Sequence, residues 1–474
     1  MAGEHQPSVA AFATYEEAVA YLFAMVDYEK ITKYKYDLAA FDLSRTERLL
    51  AAIGNPHRTS GRLVHVAGTK GKGSTSAMVQ TVLTGLGYRT GLFTSPHLVR
   101  LEERIQIDGR LIPREEVRRG VSEMRSYVDE IRATRPEESP TFFELVTALG
   151  FSYFARERVD FAVIEVGMGG RLDSTNVIWP EVSVITRIDY DHVRRLGPTL
   201  AKIAGEKAGI IKKGIPVVSS PQTPEAGAVI QAKAAEQGSE LFILGRDARL
   251  ARVESFFAPG MAGCRFSLEG LNRSYPVLEV PLLGTHQAEN AATAVMALEV
   301  LERRGLVTLD AATVWRFLAR VRFPARIEVI PQSPGEPLTI LDGGHNPAAV
   351  RALRGVLEAH IIPRLRQSGG RLLLILGVAA DKDIEGILRE VVPLASAVFF
   401  TRSDSPRAAD PRELRDMALG LTSAPMHVFE LASEALGAAR AVARPEDVIC
   451  ITGSLYLAGL LRPHLVPQEY ATEP

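Results

Sequence analysis

Gly68-Thr69-Lys70-Gly71-Lys72-Gly73-Ser74-Thr75 follows a short apolar run, Leu63 to Ala67, and precedes a helical pattern. A strand, a glycine-rich loop, a lysine and a hydroxyl at a helix start are typical of a phosphate site, because small residues let backbone N–H groups approach phosphate oxygens. The loop departs from the strict G-x-x-x-x-G-K-[ST] pattern, since Val66 occupies the first glycine position and an extra glycine precedes Ser74. We therefore predict a Mg²⁺-nucleotide site here, rather than a glycine-rich turn without a ligand.

Apolar runs of strand length recur on both sides of this loop and alternate with longer helical patterns. Such alternation predicts parallel sheets built from strand–helix–strand units. The predicted strands fall into two series, which are Leu63 to Ala67, Phe161 to Val166, Val182 to Thr186 and Val217 to Ser219, and then Thr339 to Leu341, Leu372 to Leu376, Ala397 to Thr401 and Val448 to Thr452. The stretch from Leu241 to Leu283 differs from the rest, because its segments alternate between apolar and polar residues and contain a turn signal at Pro259-Gly260. This pattern predicts a β-rich subregion.

The two series predict two α/β domains. Pro324 ends the helical pattern between them, so we expect a larger N-terminal domain over residues 1–321, a linker over residues 322–326 and a smaller C-terminal α/β Rossmann-like domain over residues 327–474. A length of 474 residues suits two or three domains.

Charge and composition limit the possible partners. The chain carries 55 Lys+Arg against 56 Asp+Glu, so we expect neither a nucleic acid nor a membrane as partner. Two cysteines exclude a disulfide framework. Met1 to Pro7 lacks a basic patch followed by an apolar stretch, and the run from Leu372 to Ala380 is far shorter than the ~20 residues that span a bilayer. We expect a soluble, cytoplasmic protein, and a monomer.

Further segments carry a resemblance that runs from about residue 15 to residue 460. The loop with its preceding His65-Val66-Ala67 resembles the ATP loop of the folylpolyglutamate synthases and dihydrofolate synthases, which are Mur-ligase-like amide ligases. Segments that match this family follow in its order: Phe93 to Leu98, Thr141 to Glu144, Glu165 to Asp173, Asp191-His192, Glu206 to Ile210, Gly284 to Gln287, Asp342 to Pro347, Asp381 to Asp383 and Thr452 to Tyr456.

The resemblance implies an N-terminal P-loop-type ATPase domain with a mostly parallel sheet and an ATP-dependent reaction. The family joins L-glutamate to the carboxylate of a reduced folate or of 7,8-dihydropteroate through an acyl phosphate. Two alternatives stay open at this point, a Mur-type ligase of another carboxylate and a nucleotide-hydrolysing regulatory module.

The resemblance also implies a role for each matching residue. The implied nucleotide contacts are Thr69, Gly71, Lys72, Gly73, Ser74, Asn290, Arg326 and Asp342. Two Mg²⁺ ions are implied, with contacts from Ser95, Glu165 and His192, although a hydroxyl and a carboxylate suit Mg²⁺ better than an imidazole does. The implied catalytic residues are Lys72, a carbamylated Lys207 and His345, and the implied folate contacts are Thr141, Phe142, Phe143, Glu144, Arg171, Leu172 and Asp173.

Ordinary structural roles compete with several of these assignments. Glu165 could be a solvated strand-end carboxylate, Lys207 a solvated helix lysine, and the Phe142–Phe143 pair part of a helix core. Similarly, Arg326 could form a surface salt bridge and Asp342 a helix cap.

The chain departs from the family at three places. Lys70 replaces the usual Asn, and either strengthens nucleotide binding or pairs with an acidic residue. Phe323-Pro324-Ala325-Arg326 replaces Trp-Pro-Gly-Arg and keeps the arginine. Ala40-Phe41-Asp42 stands where many bifunctional members have Asp-Leu-Gly, which makes tetrahydrofolate a better-supported substrate than dihydropteroate.

Overall fold

The computed structural model describes residues 11–29, 42–258, 261–330 and 335–471. Its strands are β1 (Arg62–Ala67), β2 (Thr90–Phe93), β3 (Ile105–Ile107), β4 (Arg110–Leu111), β5 (Phe161–Glu165), β6 (Val182–Ile185), β7 (Val217–Ser219), β8 (Leu241–Ile243), β9 (Arg249–Ala258), β10 (Met261–Glu269), β11 (Ser274–Val280), β12 (Glu328–Ile330), β13 (Leu338–Leu341), β14 (Leu372–Leu376), β15 (Ala397–Phe400), β16 (Met426–Val428) and β17 (Val448–Thr452).

The α-helices are α1 (Tyr15–Phe23), α2 (Leu43–Ala52), α3 (Lys72–Gly85), α4 (Arg114–Thr134), α5 (Phe142–Arg156), α6 (Val193–Leu196), α7 (Leu200–Ala208), α8 (Pro224–Glu236), α9 (His286–Arg303), α10 (Ala311–Leu318), α11 (Pro347–Val356), α12 (Ile362–Ser368), α13 (Ile384–Val391), α14 (Pro411–Ala418), α15 (Ala432–Val442) and α16 (Leu455–Leu465).

An eight-stranded sheet forms the centre of the first part of the chain, in the order β4-β3-β2-β5-β1-β6-β7-β8. Its strands are parallel except for the antiparallel pairs β2–β3 and β3–β4. The central strands β1, β5 and β6 are buried on both faces, as expected of Val- and Ile-rich strands covered by helices. The predicted, mostly parallel N-terminal sheet is confirmed.

A separate three-stranded antiparallel sheet has the order β11-β10-β9. Its inward residues Cys264, Phe266 and Leu268 join the same core as α9 and the central strands of the large sheet. The β-rich subregion expected between Leu241 and Leu283 is therefore present, and its predicted turn at Pro259-Gly260 lies outside the described residues.

The C-terminal part of the chain builds a six-stranded sheet in the order β12-β13-β17-β14-β15-β16. Only its edge strand β12 is antiparallel to its neighbour. Separate hydrophobic clusters cover its two faces, one around Leu374 and one around Ile375, whose side chains alternate along β14. The predicted smaller C-terminal α/β domain is confirmed in fold class, with a mixed rather than purely parallel sheet.

We call the part of the chain through α10 the N-terminal unit, and the part from β12 onward the C-terminal unit. The expected linker, residues 322–326, lies between α10 and β12. In the part of the chain that the structure describes, no helix is both long and apolar enough to cross a membrane.

Candidate functional site

A cavity of about 600 Å³ lies between the two units. It opens at the carboxyl ends of β1, β2, β5 and β13, where open α/β sheets generally bind ligands. Every site residue expected from the sequence contributes to its wall, except Phe142 and Arg171. The lining members of that set are Thr69, Gly71, Lys72, Gly73, Ser74, Ser95, Thr141, Phe143, Glu144, Glu165, Leu172, Asp173, His192, Lys207, Asn290, Arg326, Asp342 and His345.

The phosphate loop connects β1 to the start of α3. Gly71 is the N-cap of α3 with φ at +86°, and a Cβ there would lie 2.0 Å from Oδ1 of Asn290. The N–H groups of Thr69 and Lys70 both donate to the Arg187 carbonyl at 3.0 Å. The N–H groups of the first turn of α3 have no acceptor within the helix, so they are the loop donors that can bind a phosphate.

Glu165 ends β5 beside the loop. One carboxylate oxygen accepts the Ser95 N–H at 3.1 Å, and the other lies 4.0 Å from the Lys72 ammonium. Burial raises the pKa of Glu165, while Lys72 and the Ser95 N–H oppose that rise. A buried carboxylate with so few partners is suited to a cation.

The surroundings of Glu165 fit a Mg²⁺ ion with few protein ligands. The Ser95 residue and the Glu165 carboxylate adjoin in one wall of the cavity and supply oxygen donors, the type that Mg²⁺ prefers. Within residues 11–29, 42–258, 261–330 and 335–471, no cluster of three or more His, Cys, Asp or Glu side chains is placed to hold a metal. Water and phosphate oxygens would have to complete the coordination, as is usual for Mg²⁺.

Lys207, near the end of α7, is a buried lysine in the wall of the cavity. Its ammonium donates to the Gly68 carbonyl at 2.7 Å, and only 5% of the residue is exposed. Burial, assisted by the positive charge of Lys72, lowers the pKa of Lys207 to about 7. A large fraction of the side chain is therefore a neutral amine near neutral pH, so it does not behave as a solvated helix lysine.

Asp191 is a site residue to which sequence reasoning assigned no role. Its carboxylate lies 3.7 Å from the Lys70 ammonium, 3.5 Å from that of Lys382 and 3.9 Å from Nε2 of His345. It thus faces the phosphate loop on one side and the C-terminal unit on the other. The sequence predicts that Lys70 either strengthens nucleotide binding or pairs with an acidic residue, and the structure shows the pairing, with Asp191.

The two histidines near Asp191 are neutral in this environment. His192 lies 3.9 Å from Asp191, and burial lowers its pKa to about 3. Burial also lowers the pKa of His345 to about 4, while its Nδ1 lies 3.1 Å from the Gly343 carbonyl. Both imidazoles can therefore accept a hydrogen bond at neutral pH.

Asp342 follows β13 and connects the linker to the C-terminal unit. Its carboxylate accepts hydrogen bonds from the Ile327 N–H at 3.1 Å, the Gly344 N–H at 2.9 Å and the Thr452 hydroxyl at 3.2 Å. Although it does not cap a helix, it fixes the turn that presents His345. Arg326 lies against the Phe323 ring, 5.6 Å from its centroid, so an isolated surface salt bridge does not describe it.

The Thr141–Glu144 segment begins α5 as a capping box. Glu144 accepts the Thr141 N–H at 2.7 Å and forms a buried ion pair with Arg45 at 3.2 Å. Phe143 faces the cavity and packs against Gly167. Phe142 instead lies in the core, fully buried, with its ring stacked on that of Phe23 at a centroid distance of 5.3 Å. In this structure Phe142 therefore has the helix-core position, and Phe143 lies in the cavity wall.

The Arg171–Asp173 segment is also divided. Arg171 points away from the cavity and pairs with Glu206 at 2.9 Å. Leu172 and Asp173 line the cavity, and Asp173 accepts the Met168 N–H at 2.9 Å. Asp42 and Leu43 line it as well, whereas Ala40 and Phe41 lie outside the described residues.

Comparison with known proteins identifies the family. The Mur ligase middle domain matches residues 66–298, and the model described as Mur ligase, glutamate ligase domain matches residues 325–455. The dihydrofolate synthase/folylpolyglutamate synthase of Bacillus subtilis (strain 168) is 34% identical over 89% of this chain and 94% of its own length. The folylpolyglutamate synthase of Lacticaseibacillus casei is 36% identical over 95% of this chain and 99% of its own.

The chain belongs to the folylpolyglutamate synthase/dihydrofolate synthase family. A solved structure of this family, the folylpolyglutamate synthase of Mycobacterium tuberculosis complexed with ADP, is 32% identical, with a TM-score of 0.84 over 98% of this chain and 99% of its own. The resemblance and the ligase class predicted from the sequence are confirmed: this is an ATP-dependent glutamate ligase of the folylpolyglutamate synthase/dihydrofolate synthase type.

Proposed function

We propose that the protein adds L-glutamate to the terminal carboxylate of tetrahydrofolate, using ATP and an acyl-phosphate intermediate. One observation carries this proposal. A single cavity contains the phosphate loop, Glu165 and Lys207 of the N-terminal unit, the last with a pKa of about 7, together with His345 of the C-terminal unit. A regulatory nucleotide switch would not need the second unit at the phosphate end of the cavity.

The first step activates the folate carboxylate. An oxygen of the carboxylate attacks the γ-phosphorus of ATP, the bond to the β–γ bridging oxygen breaks, and ADP leaves. The N–H groups at the start of α3 and the Lys72 ammonium, with Arg326, neutralise charge on the transferring group. Thr69, Gly71, Gly73, Ser74, Asn290 and Asp342 shape the nucleotide site around them.

Ser95 and Glu165, with His192 from the wall of the same cavity, are the residues that would hold Mg²⁺. When bound, Mg²⁺ offsets negative charge on the phosphate oxygens and helps to orient them. The support from this chain is a buried carboxylate that has the Ser95 N–H and the more distant Lys72 as partners.

The second step forms the amide. The neutral amino group of glutamate attacks the acyl carbon, its nitrogen releases one proton to solvent, and inorganic phosphate leaves with the carbon–oxygen electron pair. His345, neutral at physiological pH, is suited to orient this amine by accepting a hydrogen bond from it. A carbamylated Lys207 would replace a cation by an anion at the phosphate end, and its lowered pKa supports that modification.

The folate ring occupies the part of the cavity lined by Phe143, Glu144 and Asp173. An aromatic face suits a planar heterocycle, and carboxylates suit its N–H donors. Thr141 and Leu172 complete this wall.

A second substrate, 7,8-dihydropteroate, is supported by the relative in Bacillus subtilis, which is a dihydrofolate synthase as well as a folylpolyglutamate synthase. Asp42, in the segment that differs from the bifunctional members of the family, lines the cavity with Leu43 and Arg45, so this segment is placed to affect the choice of substrate. Dihydrofolate synthase activity in addition to folylpolyglutamate synthesis is therefore our second proposal.

The decisive experiment measures ADP release by purified protein with Mg²⁺-ATP and L-glutamate, comparing tetrahydrofolate with 7,8-dihydropteroate and identifying each product by mass. One added glutamyl unit on tetrahydrofolate is the expected result. Addition to both substrates would establish the bifunctional enzyme. Absence of glutamate-dependent turnover with either would overturn both proposals.

We also propose the domain limits 1–321 and 327–474, joined by residues 322–326, and a monomeric, cytoplasmic protein. The limits are supported by the position of the linker between α10 and β12. Sedimentation with and without nucleotide tests the monomer.

A further inference from the structure

A chain of buried hydrogen bonds connects the folate side of the cavity to the strand that precedes the phosphate loop. The Thr175 hydroxyl lies 2.6 Å from Oδ1 of Asp173 and 2.9 Å from Nε2 of His65, in the middle of β1. His65 and Thr175 are fully buried, and Asp173 is 5% exposed. The reaction as proposed assigns no role to His65 or Thr175.

The proton positions in this chain follow from the number of donors. A hydroxyl has one proton, and the 2.6 Å contact with a carboxylate oxygen places it toward Asp173. The Thr175 oxygen must then accept from His65, so His65 carries its proton on Nε2. Burial lowers the pKa of His65 to about 3, so the imidazole is neutral at physiological pH and its single N–H is the one on Nε2.

Asp173 is held as an acceptor by several donors. Oδ1 accepts the Thr175 hydroxyl and, at 3.0 Å, the Thr175 N–H, while Oδ2 accepts the Met168 N–H at 2.9 Å. Each carboxylate oxygen has about two acceptor directions, so among the described residues Oδ2 retains one for a ligand in the cavity.

We propose that His65 and Thr175 are positioning residues that hold the Asp173 carboxylate in place to accept N–H groups of the substrate's planar ring. The inference rests on the proposed function, because it requires a folate ring beside Asp173. Since His65 lies on β1, these hydrogen bonds also fix the position of Asp173 relative to the phosphate loop that follows β1.

The pH dependence gives this proposal a specific signature. Burial raises the pKa of Asp173, and the Thr175 hydroxyl, the Met168 N–H and the positive charge of Lys72 oppose that rise. The Lys207 side chain also faces this carboxylate. Removing the Thr175 hydroxyl raises the pKa further, so the acid limb of kcat/KM for the folate moves to higher pH.

The test compares Thr175→Val with Thr175→Ser and with the control Thr147→Val, which removes another buried hydroxyl that has no partner in the described residues. We expect Thr175→Val to lower kcat/KM for tetrahydrofolate about tenfold at pH 7 and to shift its acid limb upward, with KM for ATP unchanged. Thr175→Ser retains the hydroxyl and should behave as the unaltered protein.

His65 is tested in the same assay. His65→Gln retains an N–H donor toward Thr175 and should retain the acid limb, whereas His65→Leu should shift it. A Thr175→Val enzyme with an unshifted acid limb, or with a loss no larger than that of Thr147→Val, would overturn the proposal and leave the folate ligase function intact.

A measurement without turnover separates the two proposals. Nitrogen NMR of the ¹⁵N-histidine-labelled protein should show His65 as a neutral Nε2–H imidazole from pH 8 to pH 5, with its signal changed in Thr175→Val. An Nδ1–H tautomer, or titration near pH 6.5, would overturn the hydrogen-bond chain whatever the enzyme assay shows. Absence of turnover in the unaltered protein with this tautomer present would instead overturn the proposed function.

Discussion

Adjacent residues with the same side chain have different roles at the start of α5. Phe142 packs in the core under the Arg104 guanidinium, 5.3 Å from the ring centroid, and Phe143 lines the cavity. We predict that Phe142→Ala lowers the free energy of unfolding by about 3–5 kcal/mol with little change in KM for the folate. Phe143→Ala should raise that KM several-fold with a smaller loss of stability. Urea unfolding and steady-state kinetics on both variants check this, and equal effects on KM would contradict it.

If Lys207 is carbamylated, the activity of the enzyme should depend on CO₂, and the pKa of Lys207 sets the pH range of that dependence. Carbamylation consumes the neutral amine, and because the pKa is lowered to about 7, the ammonium form predominates below pH 7 and the neutral form above it. We predict that added bicarbonate stimulates activity at pH 6.5 and has little effect at pH 8.5. A carbamate signal in the ¹³C NMR spectrum under ¹³CO₂, absent in Lys207→Met, is the direct measurement. An enzyme insensitive to CO₂ removal at both pH values would contradict the modification.

Residue motifs show which side chains approach the site, but not how each is oriented. Glu165 and Lys207 follow from their motifs, whereas the division between Phe142 and Phe143 depends on the rotation of α5 against α1, where Phe23 lies. The position of Asp191 between two lysines depends on a contact between units that are distant in sequence. Such contacts are tertiary, so no local pattern predicts them.

At the scale of the element, the phosphate loop requires glycine for two separate reasons. Gly71 has φ at +86°, and a Cβ would also collide with Asn290, whereas Gly87, at +93°, has open space around it. We predict that Gly71→Ala and Gly87→Ala each lose about 1–3 kcal/mol through backbone strain. Only Gly71→Ala should also lower kcat/KM for ATP, by about 100-fold, because the loop must shift.

Unfolding curves and ATP kinetics on the two glycine variants separate strain from collision. A Gly87→Ala enzyme as defective toward ATP as Gly71→Ala would mean that strain alone explains the loss.

The strands differ in how far their local sequence determines them. The local sequences of β5 and β14 are buried apolar runs, which is enough to predict a strand. β2 contains Gly91 and β16 has only three residues, so the formation of both strands depends on pairing with their neighbours.

At the scale of the whole molecule, the two units meet through charged contacts around the cavity. Asp191 faces Lys382, and the guanidinium of Arg407 donates to the Glu29 carbonyl at 2.8 Å. The length and the two series of strands predict two units, but their relative orientation depends on these long-range contacts and on apolar ones, such as Leu283 packed in a hydrophobic cluster of the C-terminal unit. Since the polar contacts border a cavity, ligands that fill the cavity can change the balance between open and closed arrangements.

Domain closure can be tested at the Asp191–Lys382 contact. We predict that ATP analogue, Mg²⁺ and folate together compact the unaltered protein in small-angle X-ray scattering, and that Lys382→Met reduces this compaction, because Asp191 then faces the C-terminal unit without its lysine. The same variant should lower kcat/KM for glutamate about tenfold, since closure would bring His345, which we propose orients the glutamate amine, to the phosphate loop. Lys233→Met removes an exposed lysine paired with Glu236 on α8 and serves as the matched control. A Lys382→Met enzyme that still compacts fully yet uses glutamate poorly would show that Lys382 acts on the substrate and not on closure.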